Sequence, residues 1–339
     1  MNPTSTNGSR SPIPLIDIGP FLDGDRDGGA RVVEAVDRAC REIGFLMITG
    51  HRVPATLIDQ THAIARRFFG LPLEEKMRWA VTPERYRGYV ACASEGLAYS
   101  LDSDTPPDLR ESFVTGPIDV PADAYHYGSE GSPYFAPNLW PDAPAGLPAL
   151  WESYYREMER VAGALMRIFA LALSLPEDFF ARKIDRHITI AAAMYYPAVT
   201  APPHPGQLRS GAHTDYGSLT IVHPDTDVGG IEVLTDDRRW ARVPHVPGSL
   251  IVNLGDLMAE WTNDRWVSTF HRVGLPGPHE AHRDRLSMIF FHQPNYDAII
   301  ECLPTCTGPG NPPRYAPIAS GAHREAKITK HRTLKDLTA

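Results

Sequence analysis

Gly211-Ala212-His213-Thr214-Asp215-Tyr216-Gly217 sets an imidazole and a carboxylate two residues apart, in a region of short apolar runs. On an extended strand, residues i and i+2 point to the same face. If this stretch is β-structure, His213 and Asp215 converge on one point. A third group must come from elsewhere. His271, in Ser268-Thr269-Phe270-His271-Arg272-Val273, follows 271 − 215 = 56 residues later, enough chain to run round a barrel and return. Two histidines and one carboxylate on one face leave the opposite coordination positions open, as O2 activation at Fe(II) requires. A closed four-ligand zinc site has no such opening.

Outward from this motif the pattern stays β. Ile188–Tyr196, Leu219–His223, Ile231–Leu234, Ser249–Asn253 and Leu286–His292 are short apolar runs divided by Gly, Pro and Asp. Strands at this density predict a sandwich or barrel, not alternating βαβ units. The β-core so outlined spans about 110 residues, an ordinary size for one sandwich domain. Further upstream, Tyr154, Met158, Val161, Leu165 and Ile168 recur at helical spacing, and the helix they predict stops before Pro176. Nearer the N-terminus, Val32, Val33, Val36, Ala39, Cys40 and Ile43 mark another helix, with Gly44 at its end in the position of a left-handed cap. Pro14–Ile18 and Phe45–Ile48 read as strands, and Leu57 to Phe68 as a further helix before Pro72. Val90 to Leu147, rich in Pro, Gly, Asp and Ser, reads as long loops. Residues 1–12 are polar and read as a disordered lead. Residues 13–147 are expected to form an N-terminal region that packs as one unit with a core over residues 148–339.

Composition is that of an ordinary soluble protein, with 42% hydrophobic and 22% charged residues. The net charge of −8 and the absence of any basic run of five or more argue against nucleic acid and anionic membranes as partners. A small-molecule substrate is expected instead. The first residues carry no hydrophobic stretch of the signal-peptide kind, and no run of about 18 apolar residues is present for a membrane span. Cys40, Cys92, Cys302 and Cys306 include no second close pair to complete a zinc site. Unpaired thiols in a cytoplasmic protein are the expectation.

A second pair of residues lies two apart in Arg285-Leu286-Ser287. A guanidinium offers a planar fork to a carboxylate and a hydroxyl adds one donor, a combination suited to one end of a dicarboxylic keto acid. Tyr196, at the end of the run Tyr195-Tyr196-Pro197, stands where its hydroxyl can reach the other end of the same molecule.

Together these residues make the chain resemble the isopenicillin N synthase-like branch of the 2-oxoglutarate/Fe(II)-dependent dioxygenases, from Ile13 to about Leu334. The N-terminal half is similar through Ile13–Ile18, Gly44–His51, Phe68–Lys76, Arg87-Gly88-Tyr89 and Asp108–Phe113. The C-terminal half carries His213-Thr214-Asp215, Asn253-Leu254-Gly255-Asp256, His271-Arg272-Val273, Arg285-Leu286-Ser287 and Phe291–Asn295. Each motif is weak alone, and their order and spacing are specific. The resemblance implies a mainly β protein with flanking helices: a double-stranded β-helix (jelly roll) core with an N-terminal helical and β region. It implies iron on His213, Asp215 and His271, and 2-oxoglutarate with its far carboxylate on Arg285 and Ser287 beside Tyr196. O2 and 2-oxoglutarate would be consumed, with release of succinate and CO2, to hydroxylate, desaturate or cyclise the substrate; ascorbate is the expected reductant in vitro. Two departures stand out. Met194 replaces an asparagine common in relatives, and Ala192 stands where the ethylene-forming relatives carry an arginine, so ethylene formation is not expected.

Two alternatives stay open at this level. One is a cosubstrate-free Fe(II) oxidase of the isopenicillin N synthase type; the other is a non-enzymatic ligand-binding jelly roll. Tyr216, Phe291, Trp261, Tyr86, Arg87 and Phe113 are candidates to line the substrate pocket, with aromatic core filling about as good a reading. His51, His62, His204, His279, His282 and His323 read as ordinary surface or core histidines, and Asp256 as a turn or cap residue.

Overall fold

A computed structural model describes residues 13–82, 85–94, 96 and 106–337, with side chains described as far as residue 329. The polar lead over residues 1–12 and part of the stretch read as loops after Val90 lie outside the described residues. In chain order the strands are β1 (Leu15–Asp17), β2 (Phe45–Thr49), β3 (Gly88–Val90), β4 (Glu111–Thr115), β5 (Ile190–Tyr196), β6 (Ser210–His213) and β7 (Leu219–Pro224). They continue with β8 (Ile231–Leu234), β9 (Trp240–Arg242), β10 (Leu250–Leu254), β11 (His271–Val273), β12 (Arg285–His292), β13 (Ile299–Ile300) and β14 (Ile318–Ala319).

An eight-stranded sheet runs β1-β2-β10-β7-β12-β5-β4-β3, and a four-stranded one runs β6-β11-β8-β9. Strands of the first sheet alternate strictly between two cores. Leu46, Ile48, Leu219, Ile221, Leu250, Val252, Leu286, Met288 and Phe290 face outward and pack with the helices Arg26–Glu42, Ala55–Phe69 and Leu147–Ala172. Phe45, Met47, Ala192, Met194, Tyr196, Val222 and Ile251 face inward, and Ile231, Val233 and Val273 of the smaller sheet close over them. Two sheets enclosing a lined interior are the jelly roll, and its inner face is where a ligand can sit.

Local chemistry explains the entry into this frame. Asp25 accepts the amides of Asp27 and Gly28 and starts the helix Arg26–Glu42. Gly44 ends it with φ +64°, its N–H returning to the Ala39 carbonyl. A Cβ here would lie 2.1 Å from the Val267 carbonyl oxygen, so conformation and space both demand glycine. β2 then begins at Phe45, already aimed at the interior.

The stretch from Val90 to Leu147 is not loop throughout. Glu111–Thr115 forms β4, buried along its length and paired antiparallel with β5, with Phe113 opposite Ala193. Glu111 is held there by Lys76 Nζ at 2.7 Å and the Tyr89 hydroxyl at 2.5 Å. An ionic strand residue whose partners are distant in sequence leaves no apolar alternation to detect.

Candidate active site

β6 and β11 pair antiparallel with His271 directly opposite His213, and the register slips before Val273. Such bulges re-aim side chains beside sites. The two rings lie 4.3 Å apart between centroids. Asp215, just past β6, turns Oδ1 towards both: it lies 3.7 Å from His213 Nε2 and 3.8 Å from His271 Nε2. One ligand atom from each residue falls within 4.8 Å of the others.

Each group is oriented from behind. His213 Nδ1 is 2.8 Å from the Gly211 carbonyl and His271 Nδ1 is 3.2 Å from that of Thr269. A carbonyl only accepts, so Nδ1 carries the proton and Nε2 presents its lone pair to the centre. Asp215 Oδ2 accepts from Thr220 Oγ1 at 2.5 Å and Asn253 Nδ2 at 2.7 Å. Burial pulls the His213 pKa down to about 3, helped by the charge of His271. Burial pushes Asp215 the other way, but His271, His213, Asn253 and Thr220 together hold it below the ordinary carboxylate value. A neutral imidazole and an ionised carboxylate are the forms that ligate a metal. Gly217 lets this loop pass the neighbouring strand, since a Cβ there would meet the His292 carbonyl oxygen at 2.3 Å.

Arg285 and Ser287 lie on the inner face of β12, opposite Tyr196 and Met194 of β5. Each is 1% exposed. Arg285 Nη1 donates to the Gly229 carbonyl at 3.2 Å, and its Cζ stands 5.6 Å from the Tyr196 ring centroid. Among the described residues nothing accepts from Arg285 Nε or bonds Ser287 Oγ. Buried donors without partners are costly, and a ligand carboxylate is what this pair fits.

The pocket candidates divide. Tyr86 and Phe291 pack on the inner core, and Tyr216 is half-buried, next in sequence to Asp215. Phe113 and Trp261 do not line the pocket. Phe113 faces the helices, edge-on to Trp151 at 5.3 Å, and Trp261 packs edge-on to Phe180 at 4.8 Å. Their parity in the sheet and the helix Asp256–Trp261 turn them to the outer core. Arg87 donates to the backbone carbonyls of Tyr86 and Tyr134 and is buried. Sequence reasoning missed Thr220 and Asn253; the latter sat in a quoted motif with no role attached. Asp256 is the first residue of the helix Asp256–Trp261 and not its cap, which is Gly255: its Oδ2 accepts from Thr214 Oγ1 at 3.2 Å and Lys327 Nζ at 2.7 Å, tying the ligand loop to the helix Ser320–Leu337.

Family models match both halves: the N-terminal region described as "non-haem dioxygenase in morphine synthesis" over residues 13–143, and the 2OG-Fe(II) oxygenase superfamily over residues 189–294. The chain belongs to the 2-oxoglutarate/Fe(II) oxygenases. Among curated relatives, homoarginine-6-hydroxylase 2-ODD-233 of Oryza sativa subsp. japonica is 32% identical, covering 93% of this chain and 96% of its own. Validamycin A dioxygenase of Streptomyces hygroscopicus subsp. limoneus is also 32% identical, over 88% and 81%. The crystal structure of a full-length Neurospora crassa protein in complex with alpha-KG superposes at TM-score 0.82 and 29% identity, over 94% of this chain and 96% of that one. This oxygenase is therefore a 2-oxoglutarate- and Fe(II)-dependent dioxygenase that oxidises a small molecule, with release of succinate and CO2. The cosubstrate-free oxidase and the non-enzymatic jelly roll fall away. When bound, iron and 2-oxoglutarate supply the oxidising chemistry from O2; the chain's part is to bind, orient and shelter.

Proposed function

We propose that His213, Asp215 and His271 hold the iron, that Arg285 and Ser287 receive the far carboxylate of 2-oxoglutarate, and that Tyr196 is a further contact to the cosubstrate. The observation that carries this reading is the convergence of two Nε2 atoms and Asp215 Oδ1 within 4.8 Å, each fixed by a hydrogen bond on its other side. The substrate enters past Tyr216, Phe291 and Tyr86, and hydroxylation is its fate. The relatives named for homoarginine and proline hydroxylation, and the Neurospora crassa structure in complex with thymine, support a small polar, nitrogen-containing metabolite. The acidic balance of the chain supports a free metabolite over nucleic acid or a membrane surface. Among the described residues no helix is long and apolar enough to cross a membrane. The free cysteines fit the reducing cytoplasm.

The test is substrate-dependent succinate release under Fe(II), ascorbate and O2, screened across amino acids, cyclic imino acids and pyrimidines. Stoichiometric hydroxylated product with one of them supports the reading. Turnover of a substrate by protein lacking His271 would sink the ligand assignment.

A further inference from the structure

Three backbone segments meet beside Arg285, and one side chain is bonded to all of them. Arg209, one residue before β6, is 0% exposed. Its Nη1 donates to the Val228 carbonyl at 2.8 Å, and its Nη2 donates to the carbonyls of Arg283 at 2.8 Å and Pro197 at 3.3 Å. Each acceptor adjoins a residue of the cosubstrate cluster. Val228 precedes Gly229, whose carbonyl accepts from Arg285 Nη1 at 3.2 Å. Pro197 follows Tyr196 at the end of β5, and Arg283 stands two residues before Arg285 at the start of β12. Consecutive carbonyls of one turn are thus taken by two different arginines. The approach is tight. Gly229 has φ +54°, and a Cβ there would lie 2.7 Å from the Gly274 carbonyl oxygen and 2.8 Å from Arg209 Nη1.

A guanidinium carries five donors in one rigid plane, so a single group can fix three carbonyls in one arrangement. Its charge is not balanced by the protein. Asp225 and Asp284, the acids next to these segments in the chain, bond Arg66 of the helix Ala55–Phe69 instead, at 3.0 and 2.6 Å. Among the described residues no carboxylate forms an ion pair with Arg209 or Arg285, whose bonds all go to backbone carbonyls. Burying two cations without a counter-ion is costly, and a bound anion offsets that cost.

We propose that Arg209 is a positioning residue for the cosubstrate: it holds the turn and the two strand ends that aim Arg285 and Tyr196, and so shapes the site of the far carboxylate of 2-oxoglutarate. It acts through Arg285 and does not touch the ligand. The inference rests on reading Arg285 and Ser287 as the far-carboxylate site.

The experiment is anaerobic titration of the Fe(II) protein, followed by the charge-transfer absorbance of the chelate. Two probes are used: 2-oxoglutarate, and 2-oxopentanoate, which has a methyl group in place of the far carboxylate. Arg209→Met should weaken 2-oxoglutarate by about tenfold, as for coupled neighbours, and leave the affinities for 2-oxopentanoate and Fe(II) unchanged. Arg209→Lys keeps the charge and loses the fork, so its affinity should fall between the two. It carries the test alone if circular dichroism shows the methionine variant unfolded. In an Arg285→Gln background, either Arg209 substitution should lose most of its effect. Equal loss for both probes, or loss of iron as well, makes Arg209 a strut of the whole roll and overturns the proposal, as does unfolding of both variants. Parental affinity for 2-oxoglutarate, or full additivity with Arg285→Gln, overturns it too. If Arg285→Gln itself binds 2-oxoglutarate like the parent, the far-carboxylate reading is the one that fails, and the proposal falls with it.

Discussion

Asn253 and Asp215 are 38 residues apart in the chain, yet Asn253 Nδ2 lies 2.7 Å from Asp215 Oδ2. With Thr220 Oγ1 on the same oxygen, one side of the carboxylate is committed and Oδ1 alone faces the histidines. Outer partners of this kind typically change metal affinity by about 10–100-fold. Asn253→Leu and Thr220→Val should each weaken Fe(II) binding within that range while the protein stays folded. Competition with a calibrated chelator measures it. Parental iron affinity in the double variant would reduce both residues to packing.

Removal of a ligand is a harsher change. His213→Ala, Asp215→Ala and His271→Ala should each abolish succinate formation with the fold retained, because a facial triad has no spare member. Asp215→Glu should fail nearly as badly, since its longer arm displaces the carboxylate from the Asn253 and Thr220 donors. Chelated protein reloaded with zinc should bind the metal and release no succinate. Zinc-supported turnover equal to that with iron would place the reaction outside O2 chemistry.

Arg285 is 1% exposed, so its truncation strands whatever carboxylate it holds. Truncating one member of a buried charge pair costs about 2–5 kcal/mol. Arg285→Gln should therefore raise the Kd for 2-oxoglutarate by about 30-fold or more. Lysine should rescue poorly, lacking the planar fork. Ser287→Ala should cost about 1 kcal/mol, as for one neutral hydrogen bond. Iron affinity should be unchanged in all three, and an equal loss of iron would point to a collapsed pocket.

His62, His223 and His292 lie outside the metal centre and predict how stability responds to acid. Burial, with the charges of His223 and Arg66, takes His62 down to about 3. Burial, with His245 and His51, takes His223 to about 4, and burial, with His187, takes His292 to about 3. All three are depressed below the unfolded value of about 6.5, so the unfolded chain binds more protons between these limits. Stability should fall as pH drops from about 6.5 towards 4, by up to about 1.4 kcal/mol per pH unit for each histidine. Urea unfolding across that window reads the slope. The double substitution His62→Gln, His223→Gln should flatten it, and an unchanged slope would remove this pair as its source.

Much of this is readable from the sequence because it is local. Gly44, the start of β2 and the i, i+2 spacing of His213 and Asp215 follow from chain geometry over a few residues. What escapes depends on register between distant strands. Phe113 belongs to the helix side because Ser112, and not Phe113, shares its face with Met194, a parity set by how β4 meets β5. Glu111–Thr115 is hidden as a strand because Lys76 and Tyr89 neutralise Glu111 from far away in sequence. Thr220 and Asn253 look like ordinary strand residues, and only folding brings their donors to one carboxylate oxygen.

The strict alternation along β5 and β12 has an evolutionary consequence. Ile190, Ala192, Met194 and Tyr196 look into the roll, while Ala191 and Ala193 look out to the helices. On β12, Arg285, Ser287, Ile289 and Phe291 answer to the interior, and Leu286, Met288 and Phe290 to the outer packing. Neighbouring residues of one strand thus answer to different surroundings, one set to the enclosed interior and the other to the helix packing. A lineage can exchange Ala192 or Met194 for a new side chain with the helix interface untouched. Change on the interior face then needs no simultaneous compensation at the helix interface.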